Sequence, residues 1–322
     1  MNYKQHYHRI RRVVKYSILV FFVRLFITTL RFFPRIWVEK VFGFFASIAF
    51  YVVAKERRRT IATLSLIYGT SHSRREIQAM GREVFVNQAY NFADYICTLH
   101  WKTRQQFEAM IDFVGEENLR REYDKGQGVI SLMMHTGSWE LSAIMPPVMG
   151  YETTAVSKAL SNPRLNDLIV AARESRGMKN ISRGKSYDKL VECIRKGECM
   201  IIMIDQDTKV KGVFVDFFGR KAYTPDGAAR LALETHAPVV PMYMQRIAGH
   251  RHRFTILPAI PLVETGDRDH DLLVNTQNYT RQIENIIREI PSQWVWMHRR
   301  WKTTPDDVER YLEAKKKKLT ST

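Results

Sequence analysis

In the central and C-terminal parts of the chain, short apolar runs alternate with longer amphipathic segments, and this alternation limits the possible folds more than any other feature. The mostly apolar run 128–134 is typical of a strand buried on both faces. Residues 199–204 form a second run of this kind, and 153–156, 239–245 and 253–257 are shorter candidates for strands. Strands that alternate with helices predict an α/β sheet with helices packed against it.

Helices are predicted where apolar residues recur at three- and four-residue spacing. The segment 55–125 shows this spacing, so we predict that it is helical, with helices over 57–67, 73–98 and 102–110. In the α/β region, helices are predicted from about residue 138 and over 163–176, 186–196, 225–235 and 269–289.

The N-terminal segment combines positive charge with apolar runs. The chain of 322 residues has a formal charge of +17, and residues 1–40 contain nine Lys or Arg and a single acid. Two apolar runs there fall short of the ~20 residues that a spanning helix needs, and Arg24 interrupts the first. Basic residues beside apolar runs predict helices inserted obliquely in one leaflet, or one marginal span, with anionic lipids as partners. A buried core helix with a basic rim is the alternative.

We therefore predict two parts of the chain, a membrane-associated helical segment over residues 1–54 and an α/β domain over residues 55–322. A pI near 9.8 would also suit a nucleic-acid partner. The positive charge lies beside apolar runs, however, and no nucleic-acid-binding module is recognisable, so nucleic acid is not a predicted partner. Three cysteines, Cys97, Cys193 and Cys199, cannot form a disulfide framework and match no zinc spacing.

The sharpest local motif is His135-Thr-Gly-Ser-Trp-Glu140, which directly follows the predicted strand 128–134. On a regular helix the two ionisable residues would lie ~140° apart and could not face each other. They can meet if His135 ends the strand, Gly137 turns the chain and Glu140 lies in the first helical turn. Ligand crevices of open α/β sheets lie beyond the carboxyl ends of the strands. A carboxylate that holds one ring nitrogen as N–H leaves the other as a base, which suits proton abstraction from a substrate hydroxyl. A capped helix start with a core histidine is the alternative.

This motif resembles the His-x4-Asp/Glu motif of the lysophospholipid acyltransferase superfamily, and is closest to the branch that adds late lauroyl and myristoyl chains to lipid A. Further blocks agree with that family in order, and the similarity covers most of the chain. They are Asp205-Gln-Asp207, Gly212-Val-Phe-Val-Asp-Phe-Phe-Gly219, Tyr223-Thr-Pro-Asp-Gly-Ala-Ala-Arg230, Ala237-Pro-Val-Val-Pro241 and Gln293-Trp-Val-Trp-Met-His298-Arg299-Arg300-Trp301-Lys302. The chain departs from the family at Ser138, where Asn is common, and at His236, where Gly is usual; the hydroxyl of Ser138 is expected to cap the helix all the same.

The resemblance implies a mixed central sheet flanked by helices, of the glycerol-3-phosphate acyltransferase type. It also implies a membrane-bound enzyme on the cytoplasmic face of the bacterial inner membrane. Such an enzyme transfers an acyl chain from an acyl thioester, acyl-[acyl carrier protein], to a hydroxyl of a Kdo-bearing lipid IVA precursor. By the same resemblance, His135 is the general base and Glu140 orients it, with no acyl-enzyme and no metal or other cofactor.

Other residues are predicted to bind substrate or to organise the site. Arg173 is favoured over Arg176 as the functionally important arginine that the family carries in this stretch, with an exposed helical charge as the alternative. The acids Asp205 and Asp207 follow a strand and would organise the site or bind basic or hydroxyl groups. Basic residues available to acceptor phosphates or to acidic acyl carrier protein are Arg230, Arg299 and Arg300. The tryptophans Trp294, Trp296 and Trp301 are expected to be core residues or interfacial anchors.

Three other functions stay open at this point. The same chemistry could act on a lysophospholipid or a glycosylated phosphoinositide, because the motif does not identify the acceptor. Water in place of the acceptor would make the protein a thioesterase. A lipid-binding membrane protein without activity would not depend on His135 at all.

Overall fold

The computed structural model describes residues 3–30, 32–182, 187–208 and 210–310. The helices in these ranges are α1 (Tyr3–Leu30), α2 (Arg35–Val52), α3 (Ala54–Tyr68), α4 (Arg74–Cys97), α5 (Arg104–Glu108), α6 (Glu116–Tyr123), α7 (Trp139–Val148), α8 (Pro163–Glu174), α9 (Tyr187–Arg195), α10 (Gly227–Thr235) and α11 (Arg268–Glu289). The strands are β1 (Ile111–Val114), β2 (Val129–Met133), β3 (Thr153–Ser157), β4 (Met178–Ser182), β5 (Cys199–Met203), β6 (Gly212–Phe217), β7 (Arg220–Pro225), β8 (Val239–Ile247) and β9 (Arg251–Ile256). Short 3-10 turns lie at Ala248–His250 and Pro291–Gln293.

Seven strands form one central sheet in the order β1-β9-β8-β2-β5-β3-β4. All neighbouring pairs are parallel except β8 and β9, which form an antiparallel hairpin. Strands β6 and β7 form a separate antiparallel hairpin. The predicted α/β class is therefore confirmed as a mostly parallel central sheet flanked by helices. The finer likeness to the glycerol-3-phosphate acyltransferase fold stays a prediction.

Strand β2 is buried on both faces, as its apolar composition predicts. Ile130 and Leu132 point into one hydrophobic core, together with residues of α9, α10 and α11. Val129 and Met133 point into a second core on the opposite face, with residues of α7. Because successive side chains of a strand point to opposite faces, this one short segment contributes to both cores.

The prediction that residues 55–125 are wholly helical is wrong at β1, which forms the edge of the sheet beside β9. Helix α4 begins as predicted: Ser73 and Glu76 form a capping box, in which each side chain accepts a hydrogen bond from the other residue's backbone N–H. Strand β4 and the hairpin β6–β7 are not among the predicted elements. The predicted helix 186–196 begins at Ser186, which lies outside the described residues, and α9 is described from Tyr187.

Helices α1 and α2 expose an unusually large apolar surface. Of the 23 exposed large hydrophobic side chains in the described part of the chain, 18 lie between Val14 and Val53. Their aromatic members include Trp37, Phe44 and Phe45, each more than 60% exposed. In the described ranges, no one helix is both long and apolar enough to cross a membrane; α2 and α3 would pass that test as a pair, but they are bent by 86° where they meet.

Candidate active site

His135 and Asp205 meet because they follow two neighbouring parallel strands. Met133 at the end of β2 is in register with Met203 at the end of β5. His135 and Asp205 each lie two positions beyond the end of their strand, so the sheet brings both to the same carboxyl edge. Ligands bind at this edge in open α/β sheets, because loops and helix starts there leave a crevice.

A buried carboxylate holds His135 in place at this edge. Asp205 Oδ1 lies 2.8 Å from the ring Nδ1, and Asp205 Oδ2 accepts a hydrogen bond of 2.8 Å from the backbone N–H of His135. The indole Nε1–H of Trp294 donates to the same Oδ2 at 2.8 Å. Asp205 is 2% exposed, whereas 22% of the His135 side chain is exposed. Since Nδ1 is occupied by Asp205, Nε2 is the ring nitrogen available for a further hydrogen bond.

The surroundings of this pair favour a negatively charged Asp205 and a protonated, positively charged His135. Burial alone would raise the pKa of Asp205, but the charge and hydrogen bonds of His135, with the Trp294 indole, lower it to about 2. Burial also disfavours a charged ring at His135, yet the charges of Asp205 and Glu140 and the Asp205 hydrogen bond hold the pKa of His135 above its usual value. A ring with this environment accepts a proton readily and is held in one tautomer.

The structure corrects the role predicted for Glu140 as the residue that holds the His135 ring. Glu140 lies in the first turn of α7, and its hydrogen bonds go to Arg173 on α8, with Nη2 at 2.7 Å from Oε1 and 3.0 Å from Oε2. Glu140 thus contributes negative charge near His135 while it holds Arg173. The hydrogen-bonded partner of the ring is Asp205, which sequence analysis placed at the crevice edge but not beside the ring.

Gly137 forms the turn between strand and helix, as predicted. Its φ of +50° lies in the left-handed region, and a Cβ there would lie 2.1 Å from the carbonyl oxygen of Met244 on β8. The backbone N–H of Gly137 donates to the carbonyl of Gln293 at 3.1 Å, so it is not available as an oxyanion donor. The expectation that the Ser138 hydroxyl caps α7 is wrong. This hydroxyl is buried and makes no hydrogen bond within the described residues.

We expect Gly137→Ala to destabilise the protein by about 2–5 kcal/mol, since it combines left-handed strain with a steric clash against β8. Gly219→Ala is the matched control: its φ of +70° is similar, but its Cβ would meet nothing within 4 Å. The control should lose only the strain, about 1–2 kcal/mol. Denaturant unfolding measures both values, and equal losses would contradict the close packing of the turn.

Two residues predicted to serve the substrate site are closed off from solvent, which contradicts direct substrate binding by Arg300 and leaves Asp207 only the organising role that was its other predicted function. Asp207 is 2% exposed, and its carboxylate accepts hydrogen bonds from the backbone N–H and hydroxyl of Thr303 at 2.8 and 2.9 Å. Arg300 is 1% exposed and donates to the carbonyl of Tyr223 at 2.7 Å. Burial lowers the pKa of Arg300 to about 10, although the charges of Asp205 and Asp207 oppose this. Both residues fasten the C-terminal segment to the core.

The remaining predicted arginines differ in their exposure. Arg299 is exposed, and Arg230 is partly exposed while it pairs with buried Asp226. Arg176 is 4% exposed, with its guanidinium carbon 5.2 Å from the centre of the Tyr95 ring. Burial lowers the pKa of Arg176.

The tryptophans divide in the same way. Trp294 and Trp296 are core residues, both 0% exposed, and Trp301 packs against that core. The hydrogen bond from Trp294 to Asp205 is a contribution to the site that sequence analysis missed.

A histidine held by a buried aspartate at the carboxyl edge of a mostly parallel sheet defines an α/β protein equipped for general-base chemistry. The family model described as "Bacterial lipid A biosynthesis acyltransferase" matches residues 5–303. The chain therefore belongs to this family, which confirms the family predicted from the ordered motifs.

Named relatives agree with this membership at low identity. The chain is 24% identical over 212 residues to "Lipid A biosynthesis acyltransferase" of Haemophilus influenzae, an alignment that spans 65% of each protein. It is 26% identical over 206 residues to "Phosphatidylinositol mannoside acyltransferase" of Mycobacterium tuberculosis, which spans 63% of each. With "Lipid A biosynthesis palmitoleoyltransferase" of Escherichia coli it shares 26% identity over 255 residues, 78% of this chain and 80% of that protein. The first two matches thus span less than two thirds of those relatives' length.

Proposed function

We propose that this chain is an O-acyltransferase that transfers a fatty acyl chain from an acyl thioester to a hydroxyl of a lipid A precursor of the Kdo-bearing lipid IVA type. The observation that carries the proposal is the His135–Asp205 pair, at the carboxyl edge of the sheet, in a chain of the lipid A biosynthesis acyltransferase family. Acyl transfer is also the activity for which the relatives are named.

The geometry supports direct transfer without an acyl-enzyme. His135 Nε2 removes the proton from the acceptor hydroxyl while its oxygen attacks the thioester carbonyl carbon. The carbon–sulfur bond then breaks, and the leaving thiolate takes the proton back from the imidazolium. Asp205 stabilises that imidazolium, since its carboxylate is already bonded to Nδ1. Arg173, held by Glu140 and 15% exposed, supplies positive charge for the developing oxyanion.

The acceptor is an amphipathic lipid, and the exposed apolar surface of α1 and α2 supports activity at a membrane. We place residues 1–54 on the lipid surface and the α/β domain of residues 55–322 above it, on the cytoplasmic face of the inner membrane. Basic residues near the apolar surface, such as Arg11, Lys15 and Lys40, would meet anionic headgroups. The donor is proposed to be acyl-[acyl carrier protein], whose acidic surface suits exposed basic residues such as Arg299.

The test is a transfer assay with the purified full chain. Acyl-[acyl carrier protein] and Kdo-bearing lipid IVA should yield a product heavier by one acyl chain in mass spectrometry. Acyl-coenzyme A in place of the carrier protein tests the donor. Release of free fatty acid without any acylated lipid would instead identify a thioesterase, and no turnover of either donor would favour a lipid-binding protein without activity.

A second acceptor class has one specific observation in its favour, the similarity to proteins named phosphatidylinositol mannoside acyltransferases. A phosphatidylinositol mannoside should therefore be supplied in parallel, with a lysophospholipid as a further arm. Preferential acylation of either one over the lipid A precursor would overturn the proposed acceptor and leave the proposed chemistry in place.

A further inference from the structure

Helix α2 turns its apolar side outward and two of its three acidic or basic residues, Arg35 and Glu39, inward, while Lys40 is exposed. Arg35 and Glu39 of this helix enter a cluster of ionisable groups that lies between α2 and the sheet, and Glu39 is 0% exposed. We call this the α2 charge cluster, and it consists of Arg35, Glu39, Asp94, Arg246, His250 and His252.

The α2 charge cluster joins helix α2, helix α4, which carries Asp94, and the hairpin β8–β9 by direct contacts. Arg35 Nη1 donates to Asp94 Oδ1 at 2.6 Å, and Arg35 Nη2 donates to the carbonyl of His250 at 2.6 Å. Arg246 on β8 forms an ion pair with Asp94, and its Nη1 lies 3.5 Å from Oε2 of Glu39. Ionisable groups buried in this way persist only when they are paired or hydrogen-bonded, so removing one partner is costly.

Gln293 connects this cluster to the turn that carries His135. Its side-chain Oε1 accepts a hydrogen bond of 2.7 Å from the backbone N–H of Arg246, and its Nε2 donates to the carbonyl of Arg246 at 2.9 Å. Its own backbone carbonyl accepts from the N–H of Gly137 at 3.1 Å. The following residue, Trp294, forms a bridge with Thr136 and donates to Asp205.

We propose that Gln293 is a positioning residue that sets the turn holding His135 by fastening it to β8 and, through Arg246, to the α2 charge cluster under the lipid-facing helix. The inference rests on the proposed function and adds a mechanical link from the membrane surface to the catalytic base. Misplacement of a base by about 1 Å costs up to ~10²-fold in rate, so a clamp of this kind affects turnover directly.

The first experiment compares Gln293→Ala with Gln277→Ala. Gln277 is a matched control, because it makes the same two-way pairing with the backbone of Asp216, at 2.7 and 3.0 Å, on the hairpin β6–β7. We expect Gln293→Ala to lower kcat by about 10- to 100-fold with KM within about twofold of wild type, and Gln277→Ala to leave both unchanged. The acid limb of the pH–rate profile should keep its midpoint in both variants, because the His135–Asp205 pair remains. Equal kcat values for Gln293→Ala and wild type would overturn the inference.

A second experiment tests the link to α2. Arg35→Lys keeps the charge but cannot make all of the contacts of the guanidinium, so it should lower kcat by a smaller factor. If Gln293 transmits the effect, the double variant should lose no more than Gln293→Ala alone. Losses that multiply would show that the two residues act independently, and the link to the α2 charge cluster would be wrong.

Hydrogen exchange measured by mass spectrometry distinguishes failure of this inference from failure of the proposed function. Gln293→Ala should speed exchange in the peptide containing Gly137, and Gln277→Ala should not. This result does not depend on any substrate. Unchanged exchange in Gln293→Ala would overturn the positioning role of Gln293, even if the wild-type protein transfers acyl chains. Faster exchange in Gln293→Ala, together with a wild-type protein that transfers no acyl chain, would reject only the proposed function.

Discussion

Replacing His135 with glutamine is expected to lower kcat by about 10²- to 10⁴-fold, because the base that removes the acceptor proton is lost. Glutamine is the informative substitution, since its side-chain amide can still donate to the buried carboxylate of Asp205. Alanine would leave that buried charge without its ring partner and would destabilise the protein by several kcal/mol. Transfer assays at saturating acceptor measure the effect, and thermal unfolding checks that the variant is folded.

His236→Gln provides the control for that experiment. The His236 side chain is 64% exposed and lies beside Glu264. It caps the C-terminal end of α10, just before β8, whose first residue Val239 pairs with Ile130 near the amino end of β2. Its activity should match wild type within about twofold. Near-normal turnover in His135→Gln would contradict the proposed mechanism, because His135 would then not be the base for acyl transfer to a lipid or to water.

The position of His135 was predictable, but the identity of its partner was not. Strand β2 is recognisable from its apolar run, and a histidine directly after a buried strand is expected at the carboxyl edge. Asp205 lies 70 positions further along the chain, so its contact with His135 depends on β5 lying next to β2 in the sheet. Sequence periodicity identifies strands but not their order, and the nearer carboxylate, Glu140, was therefore the natural choice.

The strands that were missed are short or lie outside the buried sheet interior. β1 has four residues, with burial that falls along its length, so no apolar run marks it. The hairpin β6–β7 is joined by Phe218-Gly219, both with positive φ, and a glycine between alternating segments is the signal that could have revealed it. His236 also adopts a left-handed conformation, with φ of +54°, which favours glycine at the end of a helix.

The residue types of the predicted substrate-binding residues do not determine which of them are exposed and which are buried. Arg299 and Arg300 are adjacent in the sequence, yet one is exposed and the other is buried over the Phe217 ring, 4.9 Å from its centre. An arginine beside aromatic residues suits either a phosphate site or a core contact. The backbone geometry of the C-terminal segment decides between them, and no local pattern specifies that geometry.

Asp205→Asn is expected to lower kcat on the order of 10³-fold, because an amide no longer stabilises the imidazolium and can hold the ring in the wrong tautomer. It should also lower the pKa of His135, since the carboxylate charge and hydrogen bond that oppose burial are removed. A general base works in its neutral form, so the acid limb of the kcat/KM profile should move to lower pH. Glu140→Gln should move it less, because Glu140 acts on the ring by charge alone. Asp216→Asn is the control, because this side chain is exposed on the hairpin β6–β7 and its removal should leave the profile unchanged. A larger shift in Glu140→Gln than in Asp205→Asn would show that Glu140 is the orienting carboxylate.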